Sequence, residues 1–282
     1  MSKIKQFIVT VVFVLPHFST IAQSIENFES ETEQFDREID IEEYYGSIKF
    51  STGFDFSSGT YGQPTTTEIW YVPNTIKYQY DSWTLKLTIP YIRITGAGDV
   101  VGGGPDGPVV GPSTQLRRST ESGLGDLVLS GSYELFLENL PSFEVTGKVK
   151  IPTADSSKGL GTGEADYTIQ MDIFQSVAQF TPFATVGYRF TGNPSGIRLN
   201  DVFFASAGLG YKATKEWSGG AIGDFRQATT SFVEDTWEFV PYITWKNSSD
   251  FSVNLYGVVG FSTGSADMGI GLQLGYQQEF WR

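Results

Sequence analysis

The sequence contains no cysteine and only one histidine, His17, among its 282 residues. The absence of cysteine excludes disulfides and thiolate metal sites. We expect His17 to be removed with a signal segment, so the mature chain would also lack an imidazole for activating a nucleophile or binding zinc. We therefore predict that the protein is not an enzyme and that it carries no cofactor and no metal.

Long apolar runs and an excess of positive charge are also missing. No segment approaches the roughly 18 consecutive apolar residues that a membrane-spanning helix needs. The 32 acidic residues outnumber the 19 basic ones, which gives a formal net charge of −13. Nucleic-acid binding depends on clustered basic residues. These absences argue against a helical membrane protein and against a nucleic-acid partner.

The first residues have the pattern of a secretory signal peptide. A basic start is followed by a short apolar core over residues 7–15, and Thr20 and Ala22 supply the small residues of a cleavage site. We predict that residues 1–22 are a signal peptide, which places the mature protein outside the cytoplasm. A buried N-terminal helix is the alternative.

Residues 23–46 differ in composition from the rest of the chain, because nine acidic residues accompany a single basic residue, Arg37. Apolar residues recur there at spacings of three and four, which is typical of a short amphipathic helix. A disordered periplasmic tail and a plug inside a barrel are the alternatives. We predict an acidic periplasmic N-terminal segment over 23–46.

From residue 47 onward, apolar and polar residues alternate. Between Glu144 and Ile151 the odd positions are apolar or small and the even positions are polar or charged, as in a strand with one apolar and one hydrated face. Twelve such segments occur, at about 47–56, 67–80, 83–91, 126–135, 144–151, 164–173, 181–190, 202–212, 217–227, 236–246, 251–261 and 268–276. An even number is typical of bacterial outer-membrane barrels.

Alternation alone does not distinguish a soluble sandwich or barrel from a membrane barrel. The predicted connections alternate between short turns and long loops, and all six tryptophans lie at predicted strand ends. Both features are typical of outer-membrane barrels, in which amphipathic rings lie at the two interfaces. The polar face also carries opposed charges, which suits a hydrated lumen. We predict that 47–282 form an all-β transmembrane antiparallel barrel in a bacterial outer membrane.

Charged residues on the polar face of the fourth to sixth predicted strands are the candidates for lining the lumen and selecting solutes. Lys148 and Lys150 should lie beside Glu164 and Asp166, within a register uncertainty of two residues. A purely structural ladder of ion pairs is the alternative. The complete candidate set is Asp126, Glu134, Glu144, Lys148, Lys150, Glu164, Asp166 and Asp172.

Three contacts with the membrane environment are predicted from local features. The barrel should contact the lipid bilayer, and Arg117 and Arg118 in a long loop should contact lipopolysaccharide phosphates. The terminal strand ends with Phe280, Trp281 and Arg282. An aromatic end is similar to the signal that the outer-membrane assembly machinery reads, although such signals usually end on the aromatic residue itself.

Three short motifs resemble those of a known family. They are Gly123-Leu124-Gly125-Asp126-Leu127, Lys150-Ile151-Pro152-Thr153, and Leu160-Gly161-Thr162-Gly163 followed by Asp166. In this order they resemble the outer-membrane family named for the MetA pathway of phenol degradation, over residues 120 to 282. The resemblance implies an outer-membrane channel or transporter, associated with aromatic or hydrophobic compounds, and brings no catalytic residues. The segment 23–46 and Trp281-Arg282 lie outside that pattern.

The function predicted from the sequence is the passage of small molecules, hydrophobic or aromatic ones among them, through the barrel. The long loop over 95–122 would fold inward or act as a gate. A structural or surface barrel with a lumen filled by side chains is the main alternative. A barrel enzyme is the third hypothesis, although known designs depend on histidine.

Overall fold

A computed structural model describes residues 44–97, 100–102, 108–110, 118–135, 141–195, 198–247 and 250–281. The predicted signal peptide and nearly all of segment 23–46 lie outside these residues. The strands are β1 (Tyr44–Gly59), β2 (Thr67–Tyr80), β3 (Trp83–Ala97), β4 (Val100–Val101), β5 (Val109–Val110), β6 (Arg118–Leu124), β7 (Leu127–Leu135), β8 (Ser142–Ile151), β9 (Asp166–Phe174), β10 (Phe180–Phe190), β11 (Val202–Lys212), β12 (Trp217–Arg226), β13 (Thr236–Lys246), β14 (Phe251–Gly260) and β15 (Met268–Trp281).

The strands close into one antiparallel barrel. β1 pairs with β2 on one side and with β15 on the other, and the pairing continues through consecutive strands until β7 meets β3. β6 and β7 follow one another along β3, on 91–97 and 83–88 respectively, and so act as one barrel strand. The described chain therefore forms twelve barrel strands, with the β4–β5 hairpin apart. The predicted all-β, twelve-stranded barrel is confirmed. Within the described residues, no helix has the length and apolar character needed to cross a bilayer.

The interruption between β6 and β7 has a local cause. Pro90 of β3 lies opposite Pro73 of β2, and neither residue has an N–H to donate to a ladder. The N–H of Gly125 donates to the Pro90 carbonyl at 2.9 Å, and the pairing resumes after Asp126. β3 and β6 thus extend pairing into the region predicted as the 95–122 loop, which shortens that loop to 98–117.

The outer surface of the barrel is apolar and its inner surface is largely polar. On β8, Val145 is 41% exposed whereas its neighbour Thr146 is fully buried and faces inward. Large exposed apolar residues of this kind occur on strands around the barrel, such as Leu85, Ile169, Val186, Leu209, Ile243 and Leu272. This arrangement is that of a membrane barrel and the reverse of a soluble sandwich. The protein is an outer-membrane β-barrel.

Aromatic residues mark the two rims of the barrel. At the end with the short turns, Trp217 and Trp245 are direct cross-strand partners, and the rings of Trp83 and Tyr133 lie 4.7 Å apart. At the end with the long loops, the rings of Phe225 and Trp237 are 4.5 Å apart. These rims match the two interfacial belts expected from the tryptophan positions. We call these the short-turn end and the long-loop end.

Candidate functional site in the lumen and at its mouth

The structure places most of the predicted lumen residues on the inner wall. Asp126, Glu144, Lys148, Lys150, Asp166 and Asp172 are all buried there. Glu134 is half-buried near the short-turn end of β7. Glu164 is half-buried in the loop before β9, because β9 begins at Asp166. The residue directly opposite Lys150 is Asp166, while Lys148 lies opposite Thr168.

Lys150 is the centre of a buried charged group near the long-loop end. Its Nζ lies 2.7 Å from Asp166 Oδ2 and 3.6 Å from Asp126 Oδ2. It also donates to Thr162 Oγ1 at 3.3 Å. Burying an unpaired charge is costly, so one ammonium group can stabilise two buried carboxylates only when the distances between them are short.

The two carboxylates of this group also hold the surface loops. Asp126 Oδ1 accepts the Ala154 N–H at 2.9 Å, and Asp166 Oδ1 accepts the Gly192 N–H at 2.9 Å. A Cβ at Gly161 would lie 2.8 Å from Asp126 Oδ2, so glycine is needed for this approach. The geometry favours a positioning role for Asp126, Lys150 and Asp166, in which they hold the loops over 152–165 and 191–201.

The loop over 152–165 has its own internal support. Asp155 caps the short 3-10 helix Ser156–Lys158 by accepting from the N–H and the hydroxyl of Ser157 at 3.1 and 2.6 Å. These hydrogen bonds hold the pKa of Asp155 below its usual value. Gly159 ends the helix with φ of 68°, a left-handed conformation that suits glycine. These contacts give the loop a defined conformation.

A second charged group lies nearer the short-turn end. Glu144 of β8 is the direct partner of Asp172 of β9. The Asp172 carboxylate accepts from Gln170 Nε2 at 2.9 and 2.8 Å and from Thr185 Oγ1 at 2.6 Å. Inward lysines lie close enough to attract these acids, namely Lys77, Lys86 and Lys148. The described contacts of Asp172 are with side chains of neighbouring inner-wall strands, so this group lines the lumen and is a candidate for contact with a solute.

The β4–β5 hairpin crosses the mouth at the long-loop end. Its Gly102 N–H donates to the Gly159 carbonyl at 2.7 Å. At the other side, Thr230 Oγ1 donates to the Val110 carbonyl at 3.0 Å. Thr230 lies in the connection after β12, and β12 is halfway round the twelve-strand ring from β3. In its described part, the long loop thus folds inward over the mouth, as predicted.

An apolar cluster, which we call the apolar cap, lies at the same mouth. Tyr61, Ile94, Val110 and Leu160 are each buried and belong to one cluster, against which Val233 packs. Burial raises the pKa of Tyr61 well above its usual value, and its hydroxyl donates to Ser57 Oγ at 3.1 Å. A cavity of about 20 Å³ remains beside Val110 and Thr230, enough for about one water molecule. The described residues therefore cover part of this mouth.

Inward aromatic rings lie against glycines on part of the inner wall. Each ring is directly opposite a glycine of the neighbouring strand, and a Cβ on that glycine would collide with the ring. The pairs are Phe183 with Gly208, Phe204 with Gly187, Tyr242 with Gly220, and Tyr256 with Gly271. Because these glycines have no side chain, the rings can lie along the wall instead of pointing across the lumen.

Several lumen residues were missed by sequence reasoning. The Tyr256 hydroxyl donates to the Asp55 carboxylate across β15, and Arg189, Asp224 and Glu238 are buried on the inner wall. The alternation on their strands was a usable signal, since each occupies a polar-face position. Their grouping was not visible because it depends on register between strands distant in sequence.

The predicted lipopolysaccharide contacts are only partly described. Arg118 lies at the start of β6, and its Nη2 is 2.8 Å from Glu68 Oε1 of β2, with both side chains exposed. Arg117 lies outside the described residues. An exposed ion pair of this kind contributes little to stability.

The sequence matches a protein family over most of its length. Residues 50–277 match the family described as "Putative MetA-pathway of phenol degradation". The chain belongs to this family. The resemblance inferred from the glycine-rich motifs is confirmed, and the family match begins well before residue 120. No curated protein matches the sequence.

Solved structures support the fold of this family member. An outer-membrane channel from Pseudomonas putida F1 is similar at a TM-score of 0.65 and 13% identity, covering 85% of this chain and 98% of that chain. The monoaromatic hydrocarbon channel CymD gives 0.46 at 10% identity, covering 85% and 90%. The Pseudomonas putida toluene transporter TodX gives 0.41 at 10% identity, covering 84% and 89%. The first likeness establishes the fold alone, and the other two are too distant to carry an argument.

Proposed function

We propose that the protein is an outer-membrane channel for small molecules, hydrophobic or aromatic ones among them. The observation that carries the proposal is the inner wall, which combines charged groups with flat aromatic rings inside a barrel whose outer face meets lipid. A wall of this composition can interact with both an aromatic ring and a polar substituent. The similar structure from Pseudomonas putida F1 is described as an outer-membrane channel, which is consistent with this role.

We infer that passage is gated at the mouth that the β4–β5 hairpin and the apolar cluster cover. Within the described residues, one hydrogen bond holds the β4–β5 hairpin at Gly102 to the β8–β9 loop, and one holds it at Val110 to the β12–β13 connection. Four strands, β9 to β12, lie between these two anchors. Two such bonds and a small apolar cap are a modest barrier, since a net hydrogen bond contributes about 1 kcal/mol. We infer that displacement of the hairpin opens the mouth.

Influx into liposomes tests the channel and its gate together. Because the chain has no cysteine, the double variant Val110→Cys/Thr230→Cys can be joined selectively by a disulfide or a short bifunctional thiol reagent. We expect benzoate influx and ion conductance through the wild type, loss of both when the cysteines are joined, and recovery on reduction of the disulfide. The control is Thr230→Cys alone, which should remain open under oxidising conditions.

A structural barrel with a filled lumen is the second candidate, favoured by one observation. Inward side chains such as Thr146, Gln170 and Ile222 are almost completely buried. If this burial is permanent, the wild type will pass no solute and no current at any voltage, with or without reductant. That result would eliminate the channel and support the structural role.

Five further statements belong to the same proposal. Residues 1–22 act as a signal peptide, and the acidic segment, shortened to 23–43 because β1 begins at Tyr44, lies in the periplasm. The outer-membrane assembly machinery recognises the aromatic end of β15. Lipopolysaccharide contacts the barrel at Arg118, together with Arg117. The protein has no catalytic activity of its own, which a lipid-hydrolysis assay on the purified barrel would check.

A further inference from the structure

Basic residues occupy one continuous register on the inner wall. Lys49 of β1 is the direct partner of Lys77 of β2, and Lys77 is the direct partner of Lys86 of β3. The same register continues through Ser130, Lys148 and Thr168 to Arg189 of β10. We define the basic track as Lys49, Lys77, Lys86, Lys148 and Arg189.

Acidic residues occupy a second register of the same kind. Glu134 of β7 is the direct partner of Glu144, and Glu144 is the direct partner of Asp172. The register continues through Thr185 and Ser206 to β12 and β13. We define the acidic track as Glu134, Glu144, Asp172, Asp224 and Glu238.

Both tracks climb from one end of the barrel to the other. Strands of such barrels tilt by roughly 35–45°, so a row of cross-strand partners rises along the barrel axis. Lys49 lies near the short-turn end of β1, and Arg189 is one residue from the long-loop end of β10. On β8, Glu144 and Lys148 are four residues apart, which separates the tracks by about 13 Å along the strand.

The two tracks differ in their surroundings. Lys49, Lys77 and Lys86 are partly exposed towards the short-turn end. Lys148 and Arg189 are buried towards the long-loop end. The acidic carboxylates accept from fixed neighbours, as Asp172 does from Gln170 and Thr185 and as Glu238 does from the Ala266 N–H at 3.2 Å. The cations are engaged as well, as Arg189 Nη2 is when it donates to Thr229 Oγ1 at 3.2 Å, but a lysine ammonium group on its four-carbon stem can exchange one anionic partner for another.

We propose that the basic track is the path along which a small organic anion, such as an aromatic carboxylate, crosses the barrel. Neighbouring strands are about 4.8 Å apart, so Lys49, Lys77 and Lys86 are one strand spacing apart. Lys86 to Lys148 and Lys148 to Arg189 are two spacings, about 10 Å, across Ser130 and Thr168. This is about one Debye length at 0.1 M salt, so the fields of successive cations overlap along the track. The acidic track balances the positive charge and keeps the anion weakly bound, which conduction requires. This inference rests on the proposed channel function and names its substrate class.

Reversal potentials in a potassium benzoate gradient test the inference. We expect the wild type to favour benzoate over potassium. Lys77→Gln/Lys86→Gln should lower the ratio of anion to cation permeability several-fold, whereas Lys77→Arg/Lys86→Arg should retain it. Glu134→Gln should shift the ratio in the opposite direction. Lys158→Gln, on the exposed loop outside the lumen, is the control and should leave the ratio unchanged.

The outcomes separate this inference from the channel proposal itself. A wild type that passes no current at all defeats the channel proposal before any variant is compared. A conducting wild type that favours potassium, or an unchanged ratio in the glutamine variant, overturns the basic track as the path. Should the lysine variants fail to fold, Glu134→Gln decides, because a folded Glu134→Gln channel with an unchanged ratio also overturns it.

Discussion

At the scale of single residues, Lys150 shows how a buried charge is tied to its neighbours. Its ammonium group lies between Asp126 and Asp166, and all three side chains are buried. Lys150→Met keeps the length of the side chain but leaves two carboxylates facing one another. We expect a loss of about 3–5 kcal/mol in the free energy of unfolding, since breaking a buried ion pair leaves uncompensated charge.

Urea unfolding in lipid vesicles would measure that loss. The matched control is Lys158→Met, which makes the same substitution in the exposed pair with Asp155 and should change stability little. Adding Asp166→Asn to Lys150→Met should recover part of the loss. An unchanged free energy of unfolding in Lys150→Met would show that the group does not hold the loops.

Arg118 allows an equally local prediction about lipid. Its guanidinium group lies 2.8 Å from Glu68. The Glu68 carboxylate therefore competes with a phosphate group for Arg118. Glu68→Gln should therefore strengthen lipopolysaccharide binding, and Arg118→Ala should weaken it. Co-purification of lipopolysaccharide, quantified by its phosphate content, is the measurement. Equal amounts in both variants would exclude Arg118 as a contact.

At the scale of elements, the ring-over-glycine pairs connect sequence to the shape of the wall. Gly187 lies under the ring of Phe204, so Gly187→Ala forces the ring off the wall. Overpacking of this kind costs about 1–3 kcal/mol. Gly147 is an exposed glycine of β8, and the position that a Cβ would take there is open space. Gly147→Ala should be neutral or slightly stabilising, because glycine weakens a strand interior.

Thermal unfolding of the two alanine variants in detergent gives the comparison. The difference between them should disappear when Phe204→Ala is added to Gly187→Ala, since the ring that collides is then gone. Equal destabilisation of both single variants would mean that any alanine disturbs these strands, with no special role for the ring.

The strands themselves were largely predictable, and the exceptions have local causes. β2 matches its predicted range of 67–80, and its apolar and polar residues alternate clearly from Thr75 to Tyr80. β3 extends to Ala97, beyond its predicted end at Tyr91, because it pairs there with β6, a strand in the region predicted as the 95–122 loop. Glu164 was assigned to a strand by alternation, but the loop reaches Asp166 before pairing begins.

At the scale of the whole molecule, the orientation of the two faces determines the solvent on each side. Ile169 lies near the middle of β9 and is 55% exposed on the outer face. Ile169→Arg should destabilise the barrel in vesicles by about 2–4 kcal/mol, while Tyr167→Arg, two residues nearer the long-loop end, should cost less. A soluble protein would show little dependence on depth, so equal effects in both variants would contradict the membrane orientation.

Sequence by itself determined the class of this protein, because period-two alternation, short turns and terminal tryptophans are local properties of the chain. It also identified inward charges on the fourth to sixth predicted strands, such as Lys148 and Asp172, from their positions on a strand, but not Arg189, Asp224 and Glu238. Only the tertiary structure decided which charges meet. Register between strands places Lys150 against Asp166 and Lys49 against Lys77, and no local pattern encodes a contact across the ring. The covering of the mouth also depends on the tertiary structure. Val110 and Thr230 are 120 residues apart and become neighbours only when the strands form the barrel.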